Sequence, residues 1–274
     1  MLETIAPRIT PVVALAASAL VLTACQKEEA APPPPVQPPV IDTPPIKAAA
    51  SPPYDRARLL EAMDAAAAAY AAGESKPDDL AGKQFVVRQA FGCEEAPPLA
   101  ADAPGDGLGR WSWSERRDVI RVSVSPGDWA KSALMAGGAE NWEAVEGFWL
   151  TRPWLRSEGC PGVKADPLAS GPAAPTPQTI AIAAVFEAGG SRIGRRNGRS
   201  YDFSVRGEGG PPTPPVGGYR LVLEGRFAAF STGAAIRCRS QSSDQRPVCV
   251  AAASVDRVAF EDAQGQVLSE WRPG

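Results

Sequence analysis

The chain has 274 residues, with 28 basic and 31 acidic side chains, a net charge of −3 and no histidine. So even a charge balance leaves no electrostatic footprint for nucleic acid. The missing imidazole removes Ser-His-Asp and Cys-His nucleophile pairs, His-ligated zinc and imidazole proton transfer.

The first organised stretch, ITPVVALAASALVL (9–22), is 14 residues long and is interrupted by Pro11. A membrane-spanning helix needs about 20 apolar residues. This shorter run, ending in small side chains, fits the apolar region of a secretory signal. It closes on Leu22-Thr23-Ala24-Cys25, which resembles the lipobox of bacterial envelope lipoproteins; the resemblance is confined to residues 1–25. It implies that residues 1–24 are a cleaved signal peptide. Cys25 is then the lipid attachment site, carrying fatty acyl chains such as palmitate. The chain would belong to the cell envelope, with the membrane as a partner through those chains. Gln26 after the cysteine, in place of aspartate, points within this class to the outer membrane, facing the periplasm. One acyl chain binds reversibly, at about 0.8 kcal/mol per buried methylene, whereas two or three on one cysteine anchor the chain firmly.

Residues 25–53 read as a proline-rich tether, with 10 prolines in the 28 positions from Gln26 to Pro53. Such a stretch has too little apolar surface to pack and favours polyproline II. At about 3.1 Å per residue it reaches roughly 90 Å when fully extended. The remainder, about 220 residues, suffices for one large domain or two small ones. Residues 55–175 carry 13 basic and 18 acidic side chains, against 12 arginines, no lysine and 9 acids in 176–274.

Beyond the tether the pattern predicts one helix followed by strands. Ser51 with Pro52 and Pro53 makes a helix start. Leu59, Met63, Ala67 and Tyr70 recur at helical spacing, and Gly73 stops the run. KQFVVRQAFGC (83–93), DVIRVSVSP (118–126) and VEGFWLTR (145–152) read as strands, and DWAKSALMAG (128–137) as a short helix. Alternation then becomes cleaner: Ile180, Ile182, Ala184 and Phe186 share a face, as do Tyr201, Phe203 and Val205, and Tyr219, Leu221, Leu223 and Phe227. AAIRCRS, PVCVAA, DRVAFED and QVLSEW complete a meander. The expected fold is mainly β: an antiparallel sandwich or small barrel with one N-terminal amphipathic helix. The expected units are 54–170, helix plus β-rich, and 171–274, antiparallel β, either separate or joined in one domain.

Four cysteines remain after processing, Cys93, Cys160, Cys238 and Cys249, and an even number in an exported chain predicts two disulfides. Cys238 and Cys249 flank the hairpin-like RSQSSDQRPV. Nearest-neighbour pairing, Cys93–Cys160 and Cys238–Cys249, is therefore the expectation. Without CxxC spacing or histidine, no metal site and no cofactor are expected.

Three stretches are candidates for binding. Trp111 and Trp113 in RWSWSE lie at i and i+2 on one strand face. Exposed, they would form a stacking platform for sugar rings; buried, they are core. SRIGRRNGRS (191–200) sets Arg192, Arg195, Arg196 and Arg199 on a loop between strands. Four guanidiniums there suit phosphate or carboxylate groups of an envelope partner, and Asn197-Gly198 suits a tight turn. DAPGDGLG (102–109) faintly resembles a calcium loop but lacks its ligand order and terminal glutamate, so it reads as a turn. The adjacent pairs Glu94-Glu95 and Glu261-Asp262 read as solvated charges. SxxK, GxSxG and phosphate-binding glycine loops are absent, so the surviving catalytic route is hydrolysis by carboxylates alone. The sequence favours a binding or structural domain of a lipid-anchored envelope protein, with a protein or glycan partner. A carboxylate hydrolase is the rival reading.

Overall fold

The computed structural model describes residues 51–74, 78–93, 105–163, 176–207 and 209–272. The signal segment, Cys25 and the tether through residue 50 lie outside the described residues, as do Glu94, Glu95 and Asp102. Helix α1 is Arg56–Ala71, and its cap is Asp55 rather than Ser51. The Asp55 carboxylate accepts the Arg58 N–H at 2.8 Å, satisfying one donor that the first turn leaves open. Pro52 and Pro53 stay outside because Tyr54 is taken into a parallel bridge with Phe85. Its N–H donates to the Gln84 carbonyl, and its carbonyl accepts from Val86 N–H, both at 2.8 Å. Leu59, Leu60 and Met63 are buried as the helical spacing requires, while Tyr70 at the far end is exposed.

Among the described residues eleven strands follow: β1 (Gln84–Phe91), β2 (Gly109–Trp113), β3 (Val119–Val124), β4 (Gly127–Asp128), β5 (Trp142–Trp149), β6 (Ile180–Glu187), β7 (Tyr201–Arg206), β8 (Tyr219–Phe227), β9 (Ile236–Arg239), β10 (Val248–Asp262) and β11 (Val267–Trp271). The larger sheet runs β1-β8-β10-β6-β5-β4, with β9 and β11 also paired to β10; β2-β3-β7 form a second, three-stranded sheet. The fold is mainly β as expected, and neither sheet closes into a barrel. The ladders are antiparallel apart from β6 with β10, which is parallel; the chain through β7, β8 and β9 supplies the long connection that a parallel pair needs.

The pair PVCVAA and DRVAFED, expected as two strands, is one 15-residue strand, β10. A bulge between Val255 and Arg257, opposite Gly225 and Glu224, inserts Asp256. An inserted residue shifts the inward-facing phase by one. Cys249, Ala251 and Ala253 therefore face the main core before the bulge, and Val258 and Phe260 after it. The broken alternation looks like a strand end in the sequence but is a kink in a continuous strand.

The main core lies between one face of the large sheet and a cover made of α1 and the small sheet. The opposite face carries a second cluster of Trp129, Met135, Val145, Ala181, Ala183, Phe230, Val250 and Ala252. β6 is thus buried on both faces. The second cluster is why DWAKSALMAG is not a helix. Its backbone bonds reach back three residues, Ser132 N–H to Trp129 O and Met135 N–H to Ser132 O. These turns drop Trp129 onto the sheet, 4.8 Å from Trp149 by ring centroids and over Gly147, where a Cβ would collide with the indole. Strands from both sides of residue 170 interleave, β1 with β8 and β5 with β6. Residues 50–274 accordingly form one compact unit. The disulfides are Cys93–Cys160 and Cys238–Cys249, the second joining residues directly opposite in the β9–β10 ladder.

Arg56 begins α1 and is 2% exposed. Its guanidinium donates to the carbonyls of Leu155 (3.0 Å), Thr151 (2.8 Å) and Arg152 (3.0 Å) and to Gln89 Oε1 (2.7 Å). Burial, with Arg152 nearby, pulls its pKa down to about 10, so it stays charged at neutral pH. The cation pins the segment after β5 to the helix start. Arg56→Leu should lower unfolding stability by about 2–4 kcal/mol, because it strands several acceptors at once. Urea denaturation with the disulfides intact measures this, and a loss below about 0.5 kcal/mol, the scale of an ordinary surface change, would refute the clamp.

Candidate functional site

β10 gives its flank to β6 as far as Ala253–Ala184, and to β11 from Val258–Trp271 onward. Between those points, at the bulge, the sheet forks. Bulges commonly sit beside sites because they re-aim side chains. A cleft of about 500 Å³ opens here, with Phe148, Phe186, Val258 and Trp271 among the residues facing it. That volume lies within the usual range of small-molecule sites, about 300–1,000 Å³. The opposite wall is the β6–β7 loop, residues 188–200, with Tyr201 at its base.

Two carboxylates on β5 hold that loop. A register shift between Trp142 and Ala144 displaces Glu143, whose carboxylate pairs with Arg192 at 2.8 Å and Arg195 at 3.4 Å. Glu146 is buried, and its Oε1 accepts the backbone N–H groups of Arg196 and Asn197, both at 2.8 Å. Asn197 (φ 52°) and Gly198 (φ 80°) form the expected turn, closed by Arg199 N–H to Arg196 O at 3.0 Å. Positive φ at both central residues is the primed-turn geometry that favours Asn-Gly.

The four loop arginines therefore fall into two classes. Arg192 and Arg195 share a salt bridge with Glu143. Arg196 and Arg199 meet only carbonyls among the described residues: Arg196 donates to the carbonyls of Arg199 and Ser200, and Arg199 to that of Arg196. The Arg196 guanidinium also lies 4.5 Å above the Tyr201 ring, a favourable cation–π position. Burial, then the Glu146 charge, raises the Tyr201 phenol to about 12; its hydroxyl donates to the Gly194 carbonyl at 3.4 Å. Trp271 packs edge-on against Tyr201 at 5.2 Å. Across the fork, Arg257 is buried and pairs with Glu224 and Glu270, and Arg272 with Glu270.

The other sequence candidates land elsewhere. Trp111 is buried and Trp113 half-buried, both in the main core. Trp111 sits 6.2 Å from Trp113 and 5.9 Å from Tyr219 by ring centroids. They are cover for the core and offer no exposed platform, since their strand turns this face toward the large sheet. The tryptophan with the greatest exposure among the described residues is Trp154. Asp106 of the glycine-rich stretch is bound to Arg110 and caps Leu108 N–H, as a turn residue does. Glu261 is not a solvated charge: it is buried and paired with Arg88 at 2.9 Å. Asp262 accepts the N–H groups of Gln264 and Gln266 in the β10–β11 turn. The sequence reading missed Glu146, Asp256 and Trp271. Only Glu146 carried a signal, an acid inside the apolar run VEGFWL.

No family model matches the chain, and neither the curated proteins nor the solved structures contain a significant match.

Burial raises the Glu146 carboxyl above its ordinary value of 4.5, although the N–H groups of Asn197 and Arg196 pull it down. The folded chain therefore holds that proton more tightly than the unfolded chain, and acidification toward 4.5 favours folding through this group. Glu146→Gln keeps an acceptor for both N–H groups without the charge. Its Tm advantage over the wild type should shrink as pH falls from neutral toward 4.5. A difference that stays constant across that range contradicts the assignment.

Proposed function

We propose that the chain is a lipid-anchored cell-envelope protein whose β-rich domain binds a ligand and does not transform it. The observation that carries the binding half is the cleft at the β10 fork. It combines aromatic walls with two arginines that form no salt bridge among the described residues, the mix of apolar surface and a few placed polar groups typical of ligand sites. Hydrolysis by carboxylates alone needs a pair of free acids across the reacting bond. Of the acids lining this cleft, Glu187 and Asp256 are exposed, and the buried one, Glu146, is already engaged by two backbone N–H groups of the loop. That engagement supports a structural role for it.

The anchoring half rests on the lipobox-like residues ending at Cys25. It accords with two disulfides, which persist in oxidising compartments. In this reading the tether holds the domain off the outer membrane on its periplasmic side, where an envelope protein or glycan is the partner. After carbonate washing, wild-type chain should remain with the membranes and Cys25→Ser should move to the soluble fraction. Retention of Cys25→Ser on washed membranes removes the anchor. Release of reducing ends from envelope glycan by the wild type, and not by Glu146→Gln, would turn the binding reading into hydrolysis.

A further inference from the structure

We infer that the cleft at the β10 fork is a site for a phosphorylated sugar, with the phosphate on Arg196 and Arg199 and the ring against Tyr201 and Trp271. This deepens the binding role proposed above and rests on it. The charge argument comes first. Arg257 and Arg272 meet Glu224 and Glu270, and Arg195 meets Glu143. Arg196 and Arg199 form no salt bridge among the described residues, although the Glu146 charge reaches Arg196, and both line the cleft. Each spends its Nε–H on a loop carbonyl. Both terminal nitrogens of Arg199 and one of Arg196 then have no protein partner among the described residues. Two guanidiniums on one turn, neither in a salt bridge among the described residues, match a group with up to two negative charges and several acceptor oxygens, which a phosphate monoester supplies. A single carboxylate brings half that charge.

The turn is also built to present them. Asn197 and Gly198 hold positive φ, and Glu146 fixes the N–H groups of Arg196 and Asn197 from beneath. Stacking on Tyr201 limits the rotamers open to Arg196, which reduces the ordering cost on binding. The body of the ligand is set by the rest of the cleft. Aromatic rings there suit the apolar C–H face of a sugar ring. Ser254, Glu187 and Asp256 border the same space. An alkyl chain would desolvate those polar groups without replacing their hydrogen bonds, whereas ring hydroxyls replace them.

The test uses the full-length protein purified in detergent, titrated calorimetrically with glucose 1-phosphate, glucose, inorganic phosphate and decyl phosphate. Glucose 1-phosphate should saturate the protein, with glucose and phosphate weaker by about tenfold or more, as loss of charged hydrogen bonds or of ring contact implies. Arg196→Gln with Arg199→Gln should weaken glucose 1-phosphate by a similar factor. Arg121→Gln, an exposed strand residue, should leave it unchanged and control for general charge loss. Because Arg196→Gln alters the Tyr201 stack, Arg199→Gln alone should also weaken binding while leaving Tm unchanged. Competition by micelles of a phosphosugar lipid would mark a lipid headgroup as the source, and its absence, with binding of the free ester intact, a soluble ligand. No saturable heat with glucose 1-phosphate, equal binding by the double variant, or decyl phosphate binding as tightly would each overturn the site. A chain that still associates with washed membranes through Cys25 but fails this titration loses only the ligand assignment, not the anchor.

Discussion

β10 changes neighbours halfway along its length, and the rest of the molecule is arranged around that change. Its first half is paired on both sides, with β6 and β9, and its second half with β8 and β11. Backbone N–H and C=O groups in a buried sheet must be satisfied, so a central strand that leaves one partner for another creates a gap between them. The bulge at Asp256 absorbs the geometric mismatch and keeps the apolar side chains on the core side before and after it. A crevice in the sheet surface is the by-product, and the β6–β7 loop lies over it.

Charge placement follows the same logic. Four ionisable side chains are buried among the described residues, Arg56, Glu146, Arg257 and Glu261, and each is compensated: the first by carbonyls and an amide, the second by two backbone N–H groups, the third by two glutamates, the fourth by Arg88. A buried charge without such partners would cost several kcal/mol. Arg196, half-buried, and Arg199, exposed, differ in having no salt bridge among the described residues, on a loop that Glu143 and Glu146 hold elsewhere. Glu143 takes Arg192 and Arg195 and Glu146 takes the loop backbone, so neither carboxylate hydrogen-bonds the guanidiniums of Arg196 and Arg199.

Much of the fold was legible from local pattern. Period-two alternation located most of the strands, the apolar stripe located α1, and cysteine spacing gave both disulfides. Features set by distant partners were not legible. Asp55 displaced Ser51 as the cap because Tyr54 is drawn to Phe85, far along the chain. The parallel pairing of β6 with β10 depends on which flank of β10 remains available. The segment at Asp128 lost its helix to the tertiary seat of Trp129 on Gly147. Of the candidate site, the arginine loop and its Asn-Gly turn could be read directly, because that turn is a local device. The cleft facing it could not, because β5, β10 and β11 converge there from separate parts of the sequence. RWSWSE showed the converse: the spacing correctly put both tryptophans on one face, but not which face meets solvent.

The junction between the proline-rich stretch and the domain has a mechanical meaning. Tyr54 is tied by two backbone hydrogen bonds to β1, and Arg56, two residues later, grips three carbonyls and a glutamine. Tension drawn through the chain from its N-terminal side reaches the Tyr54 bonds first and then Arg56, the first residue of α1. Extracting the helix by pulling then requires a guanidinium to leave its buried seat at the first step. A buried, multiply bonded cation therefore lies where load applied from the N-terminal side first enters the helix.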